Sequence, residues 1–312
     1  MTVLLSVTGF DPDRWLEALR KADPARNFVR DASPGDEDVR YAVVWKHPHG
    51  LLDTYPNLQA ILSLGAGVDH ILTDQRLPDV PIARIVADDL TARMSEYVLW
   101  RVLDHHRRGF AYRAQQARSQ WNERLQPAAG EITVGIMGLG ELGRDAASKL
   151  RNLGFKVTGW SRAPKSVEGV ESFAGENGLG PFLQSADILV VLLPLTRDTR
   201  GIVNGKLLSQ LKRETPLGGP VLINAGRGGL QVEVDILAAL DDGTLMEASL
   251  DVFEIEPLPA ASKLWSHPRV FVTPHAAASS EPTALAPVIT RQIAAHERGE
   301  ALENVVDRAA GY

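Results

Sequence analysis

The amino-acid sequence predicts an α/β protein whose larger part is a doubly wound parallel sheet. Three observations predict it. Short apolar runs alternate with helix-compatible segments along most of the 312 residues, the pattern of parallel strands joined by crossover helices. One such run, Ile132–Met137, passes through Gly138-Leu139-Gly140-Glu141-Leu142-Gly143 directly into a helical segment, Arg144–Leu150. From that point strand-like runs recur at Ile132–Met137, Phe155–Trp160, Ile188–Leu193, Val221–Asn224, Ala248–Val252 and Val270–Thr273, enough for a complete doubly wound sheet.

The elements follow in order. Val3–Val7 reads as a strand, and Pro12–Lys21 as a helix begun by Asp11, a capping carboxylate before a first-turn proline. Tyr41–Trp45 and Gln59–Leu64 read as two more strands. A single long helix is expected over Thr91–Trp121, with apolar Met94, Val98, Val102 and Leu103 on one side. Its second half is basic, with His105, His106, Arg107, Arg108, Arg113 and Arg118, and is expected to be a solvated face or a subunit contact. Val167–Gly180, rich in Gly and Glu, is expected to be surface loop. Ala284–Arg298 reads as a helix that returns to the first domain.

The glycine turn carries the most specific chemistry. Gly138 permits a tight turn, Gly140 lets backbone approach a pyrophosphate, and Gly143 lets the helix pack on the strand. The helix then points N–H groups and its positive dipole end at phosphate. An NAD site usually has Asp or Glu at the end of the next strand, about 20 residues on. Here the chain reads Ser161-Arg162-Ala163-Pro164-Lys165, with no carboxylate before Glu168. A hydroxyl and two cations suit a 2′-phosphate. NADP(H) is therefore expected over NAD(H), the other reading of Arg162 and Lys165 being an ordinary solvated loop.

Composition narrows the function classes. A chain of 312 residues suggests two domains. Its 44% hydrophobic and 23% charged content suits a globular protein. The net charge of −6 argues against a nucleic-acid partner. The absence of cysteine excludes disulfides, thiolate catalysis and cysteine-ligated zinc, and no metal is expected. The amino terminus lacks a basic segment followed by an apolar core, so no signal peptide is read there. No apolar run is long enough to cross a bilayer. A cytoplasmic protein with no membrane partner is expected.

Ligands of open α/β sheets gather beyond the carboxyl ends of the strands. After Val221–Asn224 comes Ala225-Gly226-Arg227-Gly228-Gly229, after Ala248–Val252 comes Phe253-Glu254-Ile255-Glu256-Pro257, and after Val270–Thr273 comes Pro274-His275. One Arg, one Glu and one His are thus expected on the nucleotide side. His275 is a natural general acid for carbonyl reduction, since imidazole titrates near working pH. Glu256 can hydrogen-bond its ring, and Arg227 can hold a substrate carboxylate and polarise the neighbouring carbonyl. Each has a plainer reading: a structural His, a surface-loop Glu, an Arg that meets only cofactor phosphate. Nearer the amino terminus, Leu64-Gly65-Ala66-Gly67-Val68-Asp69 follows a strand, and its small residues leave room for a backbone anion nest at Gly65, Ala66 and Gly67. It is equally a plain strand-to-helix turn. Trp45 ends another strand and walls the pocket or belongs to the core.

Together these residues resemble the D-isomer-specific 2-hydroxyacid dehydrogenase family over nearly the whole chain. The motifs are LGAGVD at 64–69, GLGELG at 138–143, LPLTRDTRGIVN at 193–204, NAGRGG at 224–229, LDVFEIEPLP at 250–259 and TPH at 273–275. Within the family the glyoxylate/hydroxypyruvate reductase A branch is most similar, through WSRAPKSVEGVESFAG at 160–175, the VDRAAGY ending and the total length. The resemblance implies a Rossmann domain, 95–279, inserted in a smaller flavodoxin-like substrate domain, 1–94 plus 280–312. It implies Arg227, Glu256 and His275 as the catalytic set, with Arg227 orienting substrate and Glu256 supporting His275. It implies cofactor contacts at Leu142, Ser161, Arg162, Lys165, Pro194, Ala225 and Asp251, and substrate-carboxylate contacts from the backbone at Ala66 and Gly67. It implies a hinge-closing homodimer that uses NADPH to reduce a small 2-keto acid, glyoxylate or hydroxypyruvate. Reduction of bulkier keto acids such as phenylpyruvate or 2-ketoisocaproate is the alternative within the fold, and a non-catalytic dinucleotide sensor the alternative outside enzymology. Family members that use NAD usually carry Asp at the position of Ser161, and small residues follow His275 here, Ala276-Ala277-Ala278.

Overall fold

The computed structural model describes residues 1–279 and 281–312. In chain order the main elements are β1 (Thr2–Val7), α1 (Pro12–Ala22), β2 (Asn27–Val29), β3 (Val39–Trp45), β4 (Ala60–Ser63), α2 (Asp69–Leu72), β5 (Ile82–Ala83), α3 (Asp88–His106) and α4 (Gly109–Ala117). There follow β6 (Thr133–Met137), α5 (Glu141–Asn152), β7 (Lys156–Ser161), β8 (Glu171–Ala174), α6 (Gly175–Ser185), β9 (Ile188–Val191), α7 (Gly205–Leu208) and β10 (Val221–Asn224). The last are α8 (Glu233–Asp241), β11 (Glu247–Leu250), β12 (Val270–Val272) and α9 (Pro282–Glu297). The chain folds into two compact units, Met1–Leu90 with Ser280–Tyr312, and Thr91–Ser279. The first passage between them lies inside α3.

The smaller unit is a five-stranded sheet in the order β2-β1-β3-β4-β5, all parallel, the flavodoxin-like arrangement. Both faces are covered, so its strands are apolar throughout rather than alternating. Val3, Leu5, Val43 and Leu62 face a cluster that includes Leu16 and Leu19 of α1 and Leu285, Ile289 and Ile293 of α9. Leu4, Val44 and Ile61 face Leu52, Ile71 and Val306 on the other side. At about 1.5–3 kcal/mol for each fully buried aliphatic side chain, these contacts dominate the unit's stability. Asp11 caps α1 through the N–H groups of Asp13 (3.0 Å) and Arg14 (3.5 Å). The Arg26 guanidinium ties Asp23 (2.8 Å) to Glu297 at the end of α9.

The larger unit is a seven-stranded parallel sheet in the order β12-β11-β10-β9-β6-β7-β8. Counted from β6, the order 3-2-1-4-5-6 is that of a Rossmann sheet, with one strand added and the switch point between β6 and β9. Period-two alternation sorts its side chains: Val134, Ile136, Ile188, Val190 and Ile223 face α3 and α5, while Met137, Leu189, Val191, Leu222 and Leu250 face α6 and α8.

Four expectations require correction. The long helix over Thr91–Trp121 is two helices. Arg108 turns left-handed (φ 60°), and α4 starts at Gly109, where a Cβ would lie 2.0 Å from the Asp104 carboxylate. That carboxylate instead receives Arg101 (2.9 Å) and both ends of the Arg113 guanidinium. The basic half is a solvated face only in part: Arg107, Arg113 and Arg118 are exposed, whereas His105 and His106 are buried and Arg108 donates to the carbonyls of Pro216 (2.9 Å) and Leu217. Leu103, expected in the apolar stripe, is exposed. Finally, Val167–Gly180 holds strand β8 and the start of α6. Its glycines mask an apolar set, Phe173 and Leu179, that packs with Phe182 and Leu183.

Burial pushes the His105 imidazole downward, and the pull of Glu247 in the other direction does not outweigh it. The unfolded chain therefore holds more protons below its own histidine value, about 6.5, and stability rises with pH through that window and falls as pH drops below it. The melting temperature is expected to be lower at about pH 5.5 than at about pH 7.5, and His105→Asn to flatten the difference. Equal pH dependence of the two proteins in thermal unfolding would remove His105 as its source.

Candidate active site

Every strand of the larger unit runs the same way, so the turns that follow β6, β7, β9, β10, β11 and β12 share one edge. The glycine turn sits there after β6. Gly138 has φ +118°, and a Cβ on it would lie 2.8 Å from the carbonyl of Leu192. A Cβ on Gly143 would lie 1.9 Å from the oxygen of Gly138, so helix and strand touch at that point. Gly140 differs: a Cβ there meets nothing within 4 Å, and no side chain caps the α5 amino terminus that it begins. The open ground thus lies where backbone is expected to meet pyrophosphate. Leu142, in the first turn of α5, packs partly against the core.

The residues expected around the rest of a dinucleotide stand on neighbouring turns. Ser161 ends β7, buried, its hydroxyl donating to Ala163 O (2.7 Å). Lys165 reaches back to the glycine turn and donates to Leu139 O (3.1 Å). Arg162 is half exposed, 4.0 Å from the Asp198 carboxylate. Pro194 follows β9, its carbonyl accepting from Thr199 Oγ1 (2.7 Å). Ala225 follows β10 and is buried. Two cations therefore stand just past the end of β7, where residues 161–165 include no carboxylate of their own.

Arg227, Glu256 and His275 stand after three adjacent strands, β10, β11 and β12. His275 Nδ1 lies 2.9 Å and 3.1 Å from the two Glu256 oxygens. Glu256 is itself oriented by the N–H of Phe253 (3.2 Å). The pair is partly exposed, so the ring is held yet reachable. Arg227, half-buried, donates from Nη1 to Gly226 O (2.8 Å). Its turn is built on buried amides that the sequence alone does not single out. Asn224 Oδ1 accepts from Gly226 N–H (3.0 Å), and Asn224 Nδ2 donates to Gln231 Oε1 (2.8 Å) and Arg227 O (3.2 Å). Gln231 Nε2 then donates to Val252 O (2.9 Å), on the segment leading to Glu256. Gly228 is required for the same junction, since a Cβ would lie 1.9 Å from the Phe253 carbonyl.

Asp251 is expected at the cofactor. Its side chain is 1% exposed and committed to the turn that carries His275. Oδ1 accepts from Thr273 Oγ1 (2.6 Å) and Ala276 N–H (2.9 Å), and Oδ2 from Ala277 N–H (3.0 Å).

In the smaller unit the turn after β4 holds Gly65, Ala66 and Gly67. Gly65 departs from expectation: its N–H is taken by Ser63 Oγ (3.3 Å), and its missing side chain makes room for the Trp45 ring, which a Cβ would approach to 2.3 Å. Trp45 is in turn stacked on Phe10 (5.4 Å between ring centres) and tilted against His70 (4.5 Å). Trp45 is thus part of an aromatic row beside the turn, with one side packed on the core.

A second chain of hydroxyl, imidazole and carboxylate exists in the larger unit and is not a site. Arg101 Nε donates to Ser249 Oγ (2.9 Å), Ser249 meets His105 Nε2 (2.7 Å), and His105 Nδ1 meets Glu247 (2.6 Å). The order is that of a hydrolytic triad. Ser249 and His105 are buried, however, and the serine oxygen is already engaged by a cation. A polar groove of about 510 Å³ beside Thr133, Arg151, Lys156 and Ser185 touches none of the expected residues.

Residues 99–277 match the model of the D-isomer specific 2-hydroxyacid dehydrogenase NAD-binding domain. The chain belongs to the D-isomer specific 2-hydroxyacid dehydrogenases. Glyoxylate/hydroxypyruvate reductase A of Citrobacter koseri is 42% identical, over all of both chains. Among solved structures, an NADPH-dependent glyoxylate/hydroxypyruvate reductase of Sinorhizobium meliloti in complex with NADP and sulfate is 50% identical, with TM-score 0.94 over 100% of this chain and 99% of that one. A D-isomer specific 2-hydroxyacid dehydrogenase of Xanthobacter autotrophicus in complex with NADPH and MES is 40% identical, with the same TM-score and coverage. The glyoxylate/hydroxypyruvate reductase A branch is thus where this dehydrogenase falls.

The two outer glycines and the middle one answer different constraints, and substitution separates them. Gly143→Ala is expected to destabilise the fold by about 1–3 kcal/mol or more, through the forced contact with Gly138 O. Gly140→Ala is expected to leave stability within about 0.5 kcal/mol while weakening dinucleotide binding about tenfold, the equivalent of about 1.4 kcal/mol. Thermal unfolding and fluorescence titration of both variants test this. Unchanged affinity in Gly140→Ala would place the phosphates elsewhere.

Proposed function

We propose that this protein is an NADPH-dependent reductase of glyoxylate and hydroxypyruvate, forming glycolate and D-glycerate. The observation that carries the reading is the His275–Glu256 pair, held at the same sheet edge as a dinucleotide-type glycine turn with cations beside it. The names of the similar reductases support the substrates, and the NADP and NADPH in their structures support the cofactor.

The residues fit that cofactor. Gly138, Gly140 and Gly143 with the α5 amino terminus would hold the pyrophosphate, and Ser161, Arg162 and Lys165 the 2′-phosphate. When bound, NADPH supplies the hydride. The protein supplies the proton and the grip. Glu256 accepts from His275 Nδ1–H, which fixes the ring and leaves Nε2 as the proton-bearing atom offered to the substrate carbonyl oxygen. Arg227 binds the carboxylate next to that carbonyl and stabilises the charge that develops on the oxygen. Asn224 and Gln231 hold the Arg227 turn against the Glu256 segment, so the two ends of a small 2-keto acid are addressed by one rigid edge. In the smaller unit, the backbone at Ala66 and Gly67 is the proposed further grip on an anionic group.

The proposal includes a cytoplasmic homodimer. Trp121 is 100% exposed and Leu125 92% exposed on the segment between α4 and β6, a surface that a second copy would cover. Among the described residues no helix is long and apolar enough to cross a membrane. Trp121→Glu with Leu125→Glu is expected to elute as a monomer in size-exclusion chromatography with light scattering, and an unchanged mass would place the contact elsewhere.

Activity is tested by NADPH absorbance with glyoxylate and hydroxypyruvate. His275→Ala is expected to lower kcat by about 10²–10⁴-fold with NADPH binding retained, and Arg227→Ala to lower kcat/KM by about 10²–10³-fold. Near-wild-type turnover in His275→Ala removes it as the acid. Activity confined to phenylpyruvate or 2-ketoisocaproate would overturn the substrate assignment. Arg162→Ala with Lys165→Ala is expected to weaken NADPH about 10–100-fold, one or two charged hydrogen bonds, and NADH little. Equal small changes in both dissociation constants would remove the 2′-phosphate role.

A further inference from the structure

Tyr97 stands on α3 and belongs to none of the roles assigned above, yet its side chain ends in the site's support. The residue is 7% exposed, and its hydroxyl lies 2.8 Å from Thr273 Oγ1. Thr273 Oγ1 lies 2.6 Å from Asp251 Oδ1. The direction of these bonds follows from chemistry. A carboxylate only accepts, so Thr273 gives its proton to Asp251 and accepts from the Tyr97 O–H with its lone pair. Burial pushes the Tyr97 phenol upward and keeps that proton in place. Asp251 spends its remaining capacity on the N–H groups of Ala276 and Ala277, and its backbone carbonyl accepts from the His275 N–H (2.7 Å).

This chain ends on a residue that needs it. His275 has φ +53°, a left-handed conformation that costs a residue with a Cβ about 1–2 kcal/mol. Such a conformation persists only where the surroundings over-determine it. The hydrogen bonds that Asp251 accepts bracket His275, from its own N–H and from those of the next two residues. We propose that Tyr97 and Thr273 are positioning residues for His275, acting through Asp251 to hold the left-handed turn that aims the imidazole. The Tyr97 ring also packs edge-to-face on Trp100 (5.8 Å), so Tyr97→Phe removes the hydroxyl and leaves the packing.

The inference rests on His275 as the proton donor, and the experiment separates the two. Tyr97→Phe, Thr273→Val and Thr273→Ser are made in the full chain. The readouts are kcat and KM for glyoxylate, the NADPH dissociation constant by fluorescence, and amide hydrogen exchange at residues 275–277. Thr273→Val is expected to lower kcat about tenfold and Tyr97→Phe about threefold, the loss of one net hydrogen bond or less. KM and the dissociation constant stay within about twofold, since the change is in the aim of a proton and not in binding. Exchange at Ala276 and Ala277 rises about tenfold in Thr273→Val, with the rest of the larger unit unchanged. Thr273→Ser, which keeps the hydroxyl, restores wild-type values. Variants with wild-type kcat and exchange overturn the proposal, as does a loss of kcat matched by loss of NADPH binding and of melting temperature. A wild-type protein inert toward glyoxylate would overturn the functional reading instead. The exchange at Ala276 and Ala277 would then decide the positioning role alone, faster exchange in Thr273→Val supporting it and unchanged exchange overturning it.

Discussion

In a sheet whose strands all run the same way, every strand-to-helix turn emerges at one edge. The seven strands of the larger unit meet that condition, and the chemistry of the protein depends on it. Gly138 and His275 are far apart in sequence, yet both follow strands of one sheet. The crossover helices that make parallel pairing possible also bury both faces. With the faces covered, the turns at this edge are where the polar side chains that follow the strands can reach a ligand. Sorting by strand order then divides the labour: turns after β6, β7 and β9 bear the nucleotide-type features, and turns after β10, β11 and β12 bear Arg227, Glu256 and His275.

Polar groups at that edge are supported from beneath by others that are fully buried. Asn224, Gln231 and Asp251 are almost without exposure, and they spend their hydrogen-bonding capacity on backbone groups of the candidate-site turns, on one another and, for Asp251, on the Thr273 hydroxyl. An unsatisfied buried group costs about 1–3 kcal/mol, so such side chains persist in a core only when their partners are fixed. The requirement runs both ways. A satisfied amide or carboxylate fixes the loop that satisfies it, which is how turns without regular secondary structure hold an Arg and a His in one orientation.

Much of this was legible in the sequence because it rests on local signals. The capping Asp11, the glycine turn, the strand Val221–Asn224 and the order of polar residues after successive strands all come from patterns a few residues long. What was not legible depends on distant partners. Arg108 adopts a left-handed conformation, and Arg113 beyond it returns to the Asp104 carboxylate; nothing in the helical periodicity of that stretch announces the break. The helix α6 is hidden by Gly175, Gly178 and Gly180, which lower its intrinsic propensity while Leu179, Phe182 and Leu183 secure it through packing. Gly65 reads as part of an anion nest, but its lack of a side chain answers to Trp45, twenty residues earlier in the chain. The role of Asn224 lies inside a motif visible in the sequence, NAGRGG, and its amide becomes meaningful only once Gln231 is placed against it.

The larger unit contains two histidines paired with glutamates, and their contrast explains why only one is suited to catalysis. His105 is sealed, stacked on Phe110 (5.2 Å) and bonded at both nitrogens. Burial disfavours its charged form, and with both nitrogens taken neither faces a ligand. Its work is to fasten α3 to β11. His275 has its Nδ1 on Glu256 in the same way, but ring and carboxylate are partly open. A carboxylate on one nitrogen and access at the other is the arrangement a proton donor requires: the first sets the tautomer and supports the charged ring, and the second connects it to substrate and to bulk solvent between turnovers. Pairing distances, 2.6 Å for His105 and 2.9 Å for His275, do not by themselves mark out the proposed donor. Accessibility at the sheet edge decides between them, and that returns to the parallel order of the strands.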